Sequence, residues 1–85
     1  MLDEKKMICN VPDVDQIKTG EKLKTLRKNA HYTVADIADY TNVSASAVYA
    51  WEIGKHLPSI SNLTALAALY NLKHLDDLLV LTRSA

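Results

Sequence analysis

The segment from Thr33 to Pro58 constrains the fold most, because its pattern predicts two short helices joined by a tight turn. Such a unit needs a small residue where the helices approach, a residue that tolerates the left-handed conformation in the turn, and a buried β-branched residue below it. Ala38, Asn42 and Val48 stand at these three places. We therefore predict that Ala38 allows close packing and that Val48 and Trp51 fix the second helix on the core.

Cap residues predict where four helices begin and end. A short polar side chain before each apolar pattern can accept a hydrogen bond from the first turn, and Asn or Gly can end a helix. The predicted N-caps are Asp15, Thr33, Ser44 and Ser59, and the predicted stops are Asn42, Gly54 and Asn71. A short fifth helix is predicted from His74 to about Leu81. We expect an all-α domain of five helices over residues 15–85, after a flexible arm over residues 1–14.

Apolar residues at helical spacing predict the inner face of each helix. For the five helices in order these are Ile17, Gly20, Leu23, Leu26 and Ala30; Val34, Ile37, Ala38 and Thr41; Ala47, Val48 and Trp51; Ile60, Leu63, Leu66, Ala67 and Tyr70; and Leu75, Leu78, Leu79 and Leu81. The last helix has more apolar residues than one inward face requires. The surplus can close the core or form a two-fold dimer patch, and both alternatives stay open.

Charge is balanced overall, with ten basic and ten acidic residues, so the chain does not have the strongly basic composition of a non-specific nucleic-acid coater. The distribution is uneven, because five basic residues against Glu21 alone fall between positions 18 and 28. These are Lys18, Lys22, Lys24, Arg27 and Lys28. Such a local positive field is compatible with phosphate contact and equally with a solvated helix face.

Several classes of protein are disfavoured by the sequence. Cys9 is the only cysteine, so no intramolecular disulfide can form, and we predict a cytoplasmic protein. No segment matches a signal peptide or a membrane span. His31, His56 and His74 are too dispersed to predict a metal site. With no phosphate-binding glycine loop and no nucleophile elbow, we predict neither a cofactor nor enzymatic activity.

The chain resembles the Cro and phage-repressor type of helix-turn-helix proteins, also called the xenobiotic-response-element family, from about Thr19 to Val80. The matching residues are Gly20, Leu23, Leu26, Arg27, Thr33, Ile37, Ala38, Val43, Ser44, Ala47, Val48, Tyr49, Trp51, Glu52, Gly54, Lys55, Leu57, Pro58, Ser59, Ile60, Leu63, Leu66, Ala67, Asp76, Asp77, Leu78 and Leu79. The resemblance implies a five-helix, lambda-repressor-like domain that regulates transcription, mostly as a dimer. Double-stranded DNA is then the expected partner, with the third helix in the major groove.

The resemblance also implies which residues contact DNA. Base edges would face Ala45, Ser46, Tyr49 and Ala50, whereas Lys55, His56 and the backbone of Thr33 and Val34 would lie near phosphates. Ser44 and Ala47 would lie near phosphates or support the helix cap. Family members commonly pair the residues at positions 27 and 52, so we predict an ion pair between Arg27 and Glu52. Its role would be to orient the helices and not to read bases.

The predicted reading positions carry no long polar side chain. Alanine offers only a methyl contact to thymine, and Ser46 and Tyr49 can each make single hydrogen bonds. We therefore expect modest specificity at each half-site, in a small regulator that represses by blocking polymerase at an operator. The alternative is a protein-interaction module of the same fold, such as an antitoxin or adaptor, with weak or no DNA binding. A homodimer through the C-terminal helix is a further expectation.

Overall fold

The computed structural model describes residues 12–83, with the side chains of Pro12 and Arg83 excepted. In chain order the elements are β1 (Pro12–Val14), α1 (Gln16–Asn29), α2 (Val34–Thr41), α3 (Ala45–Glu52), α4 (Ile60–Leu69), a 3₁₀ helix (Leu75–Leu78) and β2 (Leu81–Arg83). The described part of the chain is therefore mostly helical, with one short antiparallel ribbon formed by β1 and β2. None of its helices has the length and apolar character needed to cross a bilayer.

The four predicted N-caps are confirmed by hydrogen bonds from the first turn of each helix. Asp15 accepts from the Lys18 amide at 3.0 Å, and Ser44 accepts from the Ala47 amide at 3.1 Å. The other two caps, Thr33 and Ser59, accept from the amides of Asp36 and Asn62. Each cap satisfies a donor that the helix itself cannot satisfy, which is why these local signals predict helix starts well.

Residues in the left-handed conformation end the helices where the sequence predicts stops. Asn42 has φ 59° and ψ 45° between α2 and α3, and Asn71 has φ 58° after α4. Gly54 follows α3 with φ 81°. His31, which the sequence did not predict to be a stop, also has a positive φ, 63°, after α1. These single residues keep the connections short and so fix the angles between helices.

The predicted fifth α-helix is not formed. One 3₁₀ turn, Leu75–Leu78, is followed by extended backbone at Leu79 and then by β2. The main-chain reason lies in Val80, whose N–H donates to the buried Thr19 hydroxyl at 2.9 Å instead of to a helical carbonyl. The all-α prediction is therefore corrected to a mostly helical domain with a two-stranded ribbon.

The ribbon joins the two ends of the described chain. β1 and β2 pair antiparallel with Asp13 opposite Thr82 and Val14 opposite Leu81. The predicted flexible arm covered residues 1–14; residues 1–11 lie outside the described part, and the last three form β1. The ordered domain thus begins before the Asp15 cap.

The core lies where α1, α2, α3, α4 and the 3₁₀ helix meet. Its buried apolar residues are Leu23, Val34, Ile37, Ala38, Val48, Trp51, Leu63, Leu66, Ala67 and Leu78. All of these were predicted to face inward. Four other residues of the predicted inner faces, Ile17, Ala30, Ile60 and Leu81, are exposed. The inner face was therefore assigned wrongly at both ends of α1, at the start of α4 and in β2.

Gly20 allows α1 to cross the end of α3 in backbone contact. A Cβ atom added at Gly20 would lie 2.6 Å from the carbonyl oxygen of Glu52 and closer still to that of Trp51. No side chain fits at this crossing. The glycine thus sets the distance between α1 and α3, and with it the position of the third helix on the core.

Candidate nucleic-acid interface

The third helix presents a small, uncharged outer face. Ala45 and Ser46 are exposed in its first turn, and Tyr49 is 56% exposed one turn later. Val48 and Trp51 hold the opposite face in the core, so this helix cannot rotate without losing buried contacts. The outer face is therefore rigidly presented, although Ala47 and Ala50 are half-buried and offer less surface than the sequence suggested.

The start of α2 lies beside this face and is organised by a reciprocal capping box. The Thr33 amide donates to Asp36 Oδ2 at 2.8 Å, and the Asp36 amide donates to Thr33 Oγ1 at 3.1 Å. Val34 is buried, so only its backbone can meet a ligand. Within the described residues, the amides of Val34 and Ala35 have no hydrogen-bond acceptor, and they are the donors left at this helix end.

The capping box also determines the local charge. The Thr33 amide, for which the resemblance implied a phosphate contact, already donates to the Asp36 carboxylate and is therefore occupied by an anion. Asp39 is exposed on the same helix. The α2 side of the face is thus partly acidic, and an approaching phosphate would meet repulsion there.

An ion pair ties α1 to the end of α3. Arg27 Nε donates to Glu52 Oε2 at 2.7 Å and Arg27 Nη2 donates to Glu52 Oε1 at 3.1 Å, which makes the pair bidentate. Arg27 Nη1 donates further to the Tyr32 carbonyl at 3.0 Å. The hydrogen bond to Glu52 raises the pKa of Arg27 above its ordinary value.

Because the two side chains are only 11% and 5% exposed, the pair is withdrawn from solvent. Its guanidinium is therefore unavailable as a free cation for DNA. The pair instead fixes α3 relative to α1 and the loop that contains Tyr32, which is the orienting geometry that the resemblance implied.

A groove next to α3 brings two lysines to the same surface. Lys24 and Lys28, one turn apart on α1, line it together with Thr33, Val34 and Tyr49. Neither lysine was singled out as a site residue, although the basic run was visible in the sequence. The available signal was that Lys24 and Lys28 are four residues apart and so share one face of α1. That this face lies next to α2 and α3 could not be seen in the sequence, because it depends on the tertiary fold.

Lys55 and His56 follow α3 and are both exposed. The amides of Lys55 and His56 donate to the Ala50 carbonyl at 2.9 Å and 3.3 Å, so this loop folds back onto the helix end. Lys55 and His56 thus lie beyond the end of α3, and the groove with Lys24 and Lys28, which the sequence did not predict, lies beside the same helix.

Tyr70 packs beside Tyr32, whose main-chain carbonyl accepts a hydrogen bond from Arg27. Its ring lies 6.5 Å from that of Tyr32, centroid to centroid. Burial raises the pKa of Tyr70 to about 12, with a smaller opposing effect from Arg27. Residues 12–83 contain no group of three or more His, Cys, Asp or Glu side chains able to hold a metal ion, and Cys9 lies outside this range.

A model of the Helix-turn-helix family matches residues 23–78, more than half of the chain. The protein belongs to the helix-turn-helix family of the Cro/C1 type. Its fold is that of a DNA-binding transcription regulator, and family and fold are regulatory, not enzymatic. None of the curated proteins compared with the chain is significantly similar to it.

Solved structures give the same classification. The restriction-modification controller protein C.AhdI from Aeromonas hydrophila aligns with a TM-score of 0.66 at 25% identity, over 75% of this chain and 96% of that one. The P22 c2 repressor, solved with a synthetic operator, gives 0.66 at 30% identity, over 72% of this chain and 91% of that one. A transcriptional regulator from Listeria innocua gives 0.68 at 30% identity; 72% of this chain aligns with 56% of that one.

Proposed function

We propose that the protein is a sequence-specific transcription regulator that inserts α3 into the major groove of an operator and represses by excluding polymerase. The observation that carries this proposal is the exposed face of α3, which is held rigidly by the core and flanked by basic residues. The major groove of B-DNA, about 12 Å wide, admits an α-helix. Such a regulator would act in the cytoplasm of a bacterium, where the DNA is.

In this proposal the outer face of α3 reads bases weakly. Ala45 would contact a thymine methyl group, and Ser46 and Tyr49 would each donate or accept one hydrogen bond. A bidentate side chain contributes about 1–3 kcal/mol of discrimination per base pair, and the exposed positions of α3 carry none. The half-buried Ala47 and Ala50 would let the helix approach the DNA closely and would not recognise bases.

Phosphate contacts would surround this face and supply most of the affinity. Lys24 and Lys28, which line the protein groove beside α3, would contact phosphates of one DNA strand. Lys55 and His56 would contact phosphates on the other side of the DNA major groove. Ser44 would contribute a further phosphate contact at the start of α3. At α2 the amides of Val34 and Ala35, which have no acceptor among residues 12–83, would donate to a phosphate, while the Thr33 amide stays with Asp36. Support for this arrangement is the exposure of all four basic residues beside α3.

A protein-interaction module is the second candidate, and one observation favours it. The face of α3 is uncharged, and the exposed apolar side chains of Tyr49 and Ile53 extend it at 56% and 67% exposure. A partner protein could cover such a surface. Salt dependence separates the two candidates, because phosphate neutralisation makes DNA affinity fall steeply with salt whereas an apolar interface changes little.

The test is enrichment of sheared genomic fragments from the source organism on the purified protein, followed by sequencing and titration of the best fragment. We expect one inverted-repeat site whose affinity falls by a factor of ten or more between about 50 mM and 200 mM salt. Enrichment no better than random fragments, or salt-independent binding, would contradict the proposal and favour the interaction module. Repression is tested separately, by placing the site over a reporter promoter; unchanged or increased expression would contradict that part.

A further inference from the structure

Three exposed apolar side chains lie close together beside the end of α3. Tyr49 and Ile53, four residues apart and therefore on one side of the helix, are 56% and 67% exposed. Ile17, 61% exposed in the first turn of α1, joins them at Gly54, the residue after Ile53. A Cβ atom added at Gly54 would lie 2.7 Å from Ile17 Cα and 3.0 Å from Ile17 Cγ1. We call Ile17, Tyr49 and Ile53 the apolar strip.

Basic side chains border the apolar strip. Lys24 and Lys28 of α1 are exposed and line the same groove as Tyr49 and Ile53. Lys55 is exposed two residues after Ile53, in the loop that folds back onto the end of α3. The strip therefore has three lysines at its border, and their positive field attracts a partner that carries carboxylates.

The groove itself does not neutralise its two lysines. Of the described residues that line the groove, only Glu52 is acidic, and its carboxylate accepts from Arg27 Nε at 2.7 Å. Within residues 12–83 the pair of Arg27 and Glu52 is the one salt bridge, so neither Lys24 nor Lys28 is paired with a carboxylate in that range. The charges of these lysines are thus available to a partner.

We propose that the apolar strip and its lysines bind an acidic amphipathic helix of a partner protein. Apolar side chains on one face of that helix cover the strip, and carboxylates beside this face pair with the lysines. Amphipathic helices commonly dock in this way, with apolar anchors three or four residues apart in a groove of the receptor. Tyr49 and Ile53 are one helical turn apart on α3, which matches the spacing of such anchors.

The chemistry of the surface favours this partner over other occupants. A second copy of the chain would bring the lysines of both copies together, and like charges across an interface disfavour association. A wholly apolar partner would desolvate the lysines without pairing them, which is costly. DNA phosphates can pair with the lysines but leave Ile17 and Ile53 without an apolar partner. A helix with both apolar and acidic side chains matches the whole surface.

A partner at this surface also controls DNA binding. Tyr49 and the three lysines are residues that the proposed function assigns to base and phosphate contacts, so the surface accepts either the operator or the acidic helix. The partner is thus an inhibitor of operator binding, which acts by covering α3 and not by changing its structure. This consequence rests on the proposed function, whereas binding of the acidic helix does not.

Isoleucine methyl NMR of the full chain without DNA tests the surface directly. The chain has five isoleucines, at positions 8, 17, 37, 53 and 60. Ile37 is buried and Ile60 is 69% exposed on α4, so both serve as internal controls. The probe is a synthetic helical peptide of about 20 residues, with leucine on one face and glutamate on the other. We expect the methyl signals of Ile17 and Ile53 to shift with half-saturation below about 1 mM peptide, and those of the two controls to stay in place.

Matched peptides and variants separate the apolar from the charged part of the recognition. A peptide with lysine in place of glutamate and one with glutamine in place of leucine should each bind at least about tenfold more weakly. With the Ile17 methyl signal as the readout, Ile53→Ser and the double variant Lys24→Gln/Lys28→Gln should weaken binding by at least about tenfold. Ile60→Ser is the control and should change it by less than about twofold. All four positions are exposed, so the variants should keep the circular dichroism of the wild type.

Unshifted methyl signals of Ile17 and Ile53, or equal affinity for the lysine peptide, would overturn the inference. So would full affinity of Ile53→Ser, or shifts of Ile60 as large as those of Ile17. Because DNA is absent from these titrations, their failure is distinct from failure of the proposed operator binding. Addition of the selected operator fragment then tests the exclusion, and simultaneous binding of peptide and DNA would contradict that consequence.

Discussion

Replacing Gly20 by Ala separates two opposing physical effects on stability. Alanine is the better helix former, so at an unconstrained position inside α1 the change would stabilise the protein by about 0.5–1 kcal/mol. At this position, however, the new Cβ would lie 2.6 Å from the Glu52 carbonyl oxygen and closer to that of Trp51. Both are main-chain atoms, which cannot rotate away as a side chain would.

The clash should therefore dominate. Overpacking of a close-packed contact costs about 1–3 kcal/mol, and the upper end applies because α1 and α3 must move apart. Subtracting the gain in helix propensity leaves a net loss of about 2 kcal/mol in the free energy of unfolding. For a domain of this size that loss lowers the melting temperature by about 10 °C.

Urea and thermal unfolding followed by circular dichroism measure this loss. Thr25→Ala, at an exposed position of the same helix, is the control for helix propensity, and it should be as stable as the wild type or more stable by up to about 0.7 kcal/mol. If Gly20→Ala is as stable as the wild type or more stable, the close crossing of α1 and α3 is not the constraint described here.

Two further predictions concern the buried Arg27–Glu52 ion pair and the Tyr70 side chain. Arg27→Met leaves the 5%-exposed Glu52 carboxylate unpaired and should lower the free energy of unfolding by about 3 kcal/mol. The double variant Arg27→Met/Glu52→Leu should recover much of that loss. Additive losses of the two single variants in urea unfolding would contradict this coupling. Burial raises the pKa of Tyr70 from 10.0 to about 12, so its contribution to stability is complete below pH 10 and is lost as the pH rises toward 12, because only the unfolded chain then releases the proton. Tyr70→Phe should flatten the decline in the free energy of unfolding between about pH 10 and pH 11.5, and equal slopes in the two proteins would contradict this assignment.

Local signals in the sequence predicted the helices well. Each N-cap and its amide partner are three residues apart, so the side chain of Ser44 or Thr33 acts within one turn and needs no tertiary partner. Asn42 likewise adopts its left-handed conformation for reasons contained in the residue itself. Such features can be predicted from one sequence because they depend on residues within a single helical turn.

Non-local contacts could not be predicted in the same way. The strand pairing of Val14 with Leu81 joins opposite ends of the chain, and the apolar residues near Leu81 at helical spacing predicted a helix instead. The buried Thr19 hydroxyl, which accepts the Val80 amide, decides between the two. No pattern near Thr19 indicates this role, because a threonine inside a helix is usually unremarkable.

The candidate interface shows the same division. The exposed positions of α3 follow from the helix bounds, so Ala45, Ser46 and Tyr49 could be named from the sequence. The groove that includes Lys24 and Lys28 needs the packing of α1 against α2 and α3, and the basic run alone did not distinguish these lysines from the others. The occupied Thr33 amide likewise required the geometry of Asp36.

Titration of the selected operator fragment with a matched pair of variants tests most directly whether α3 reads DNA. Ser46→Glu and Thr64→Glu each replace an exposed hydroxyl by a carboxylate and change the net charge equally, but Thr64 lies on α4, where it lines a groove beside the 3₁₀ helix. We predict that Ser46→Glu weakens binding at least about tenfold, ~1.4 kcal/mol, while Thr64→Glu changes it less than about twofold. Equal affinities of the two variants would contradict the account.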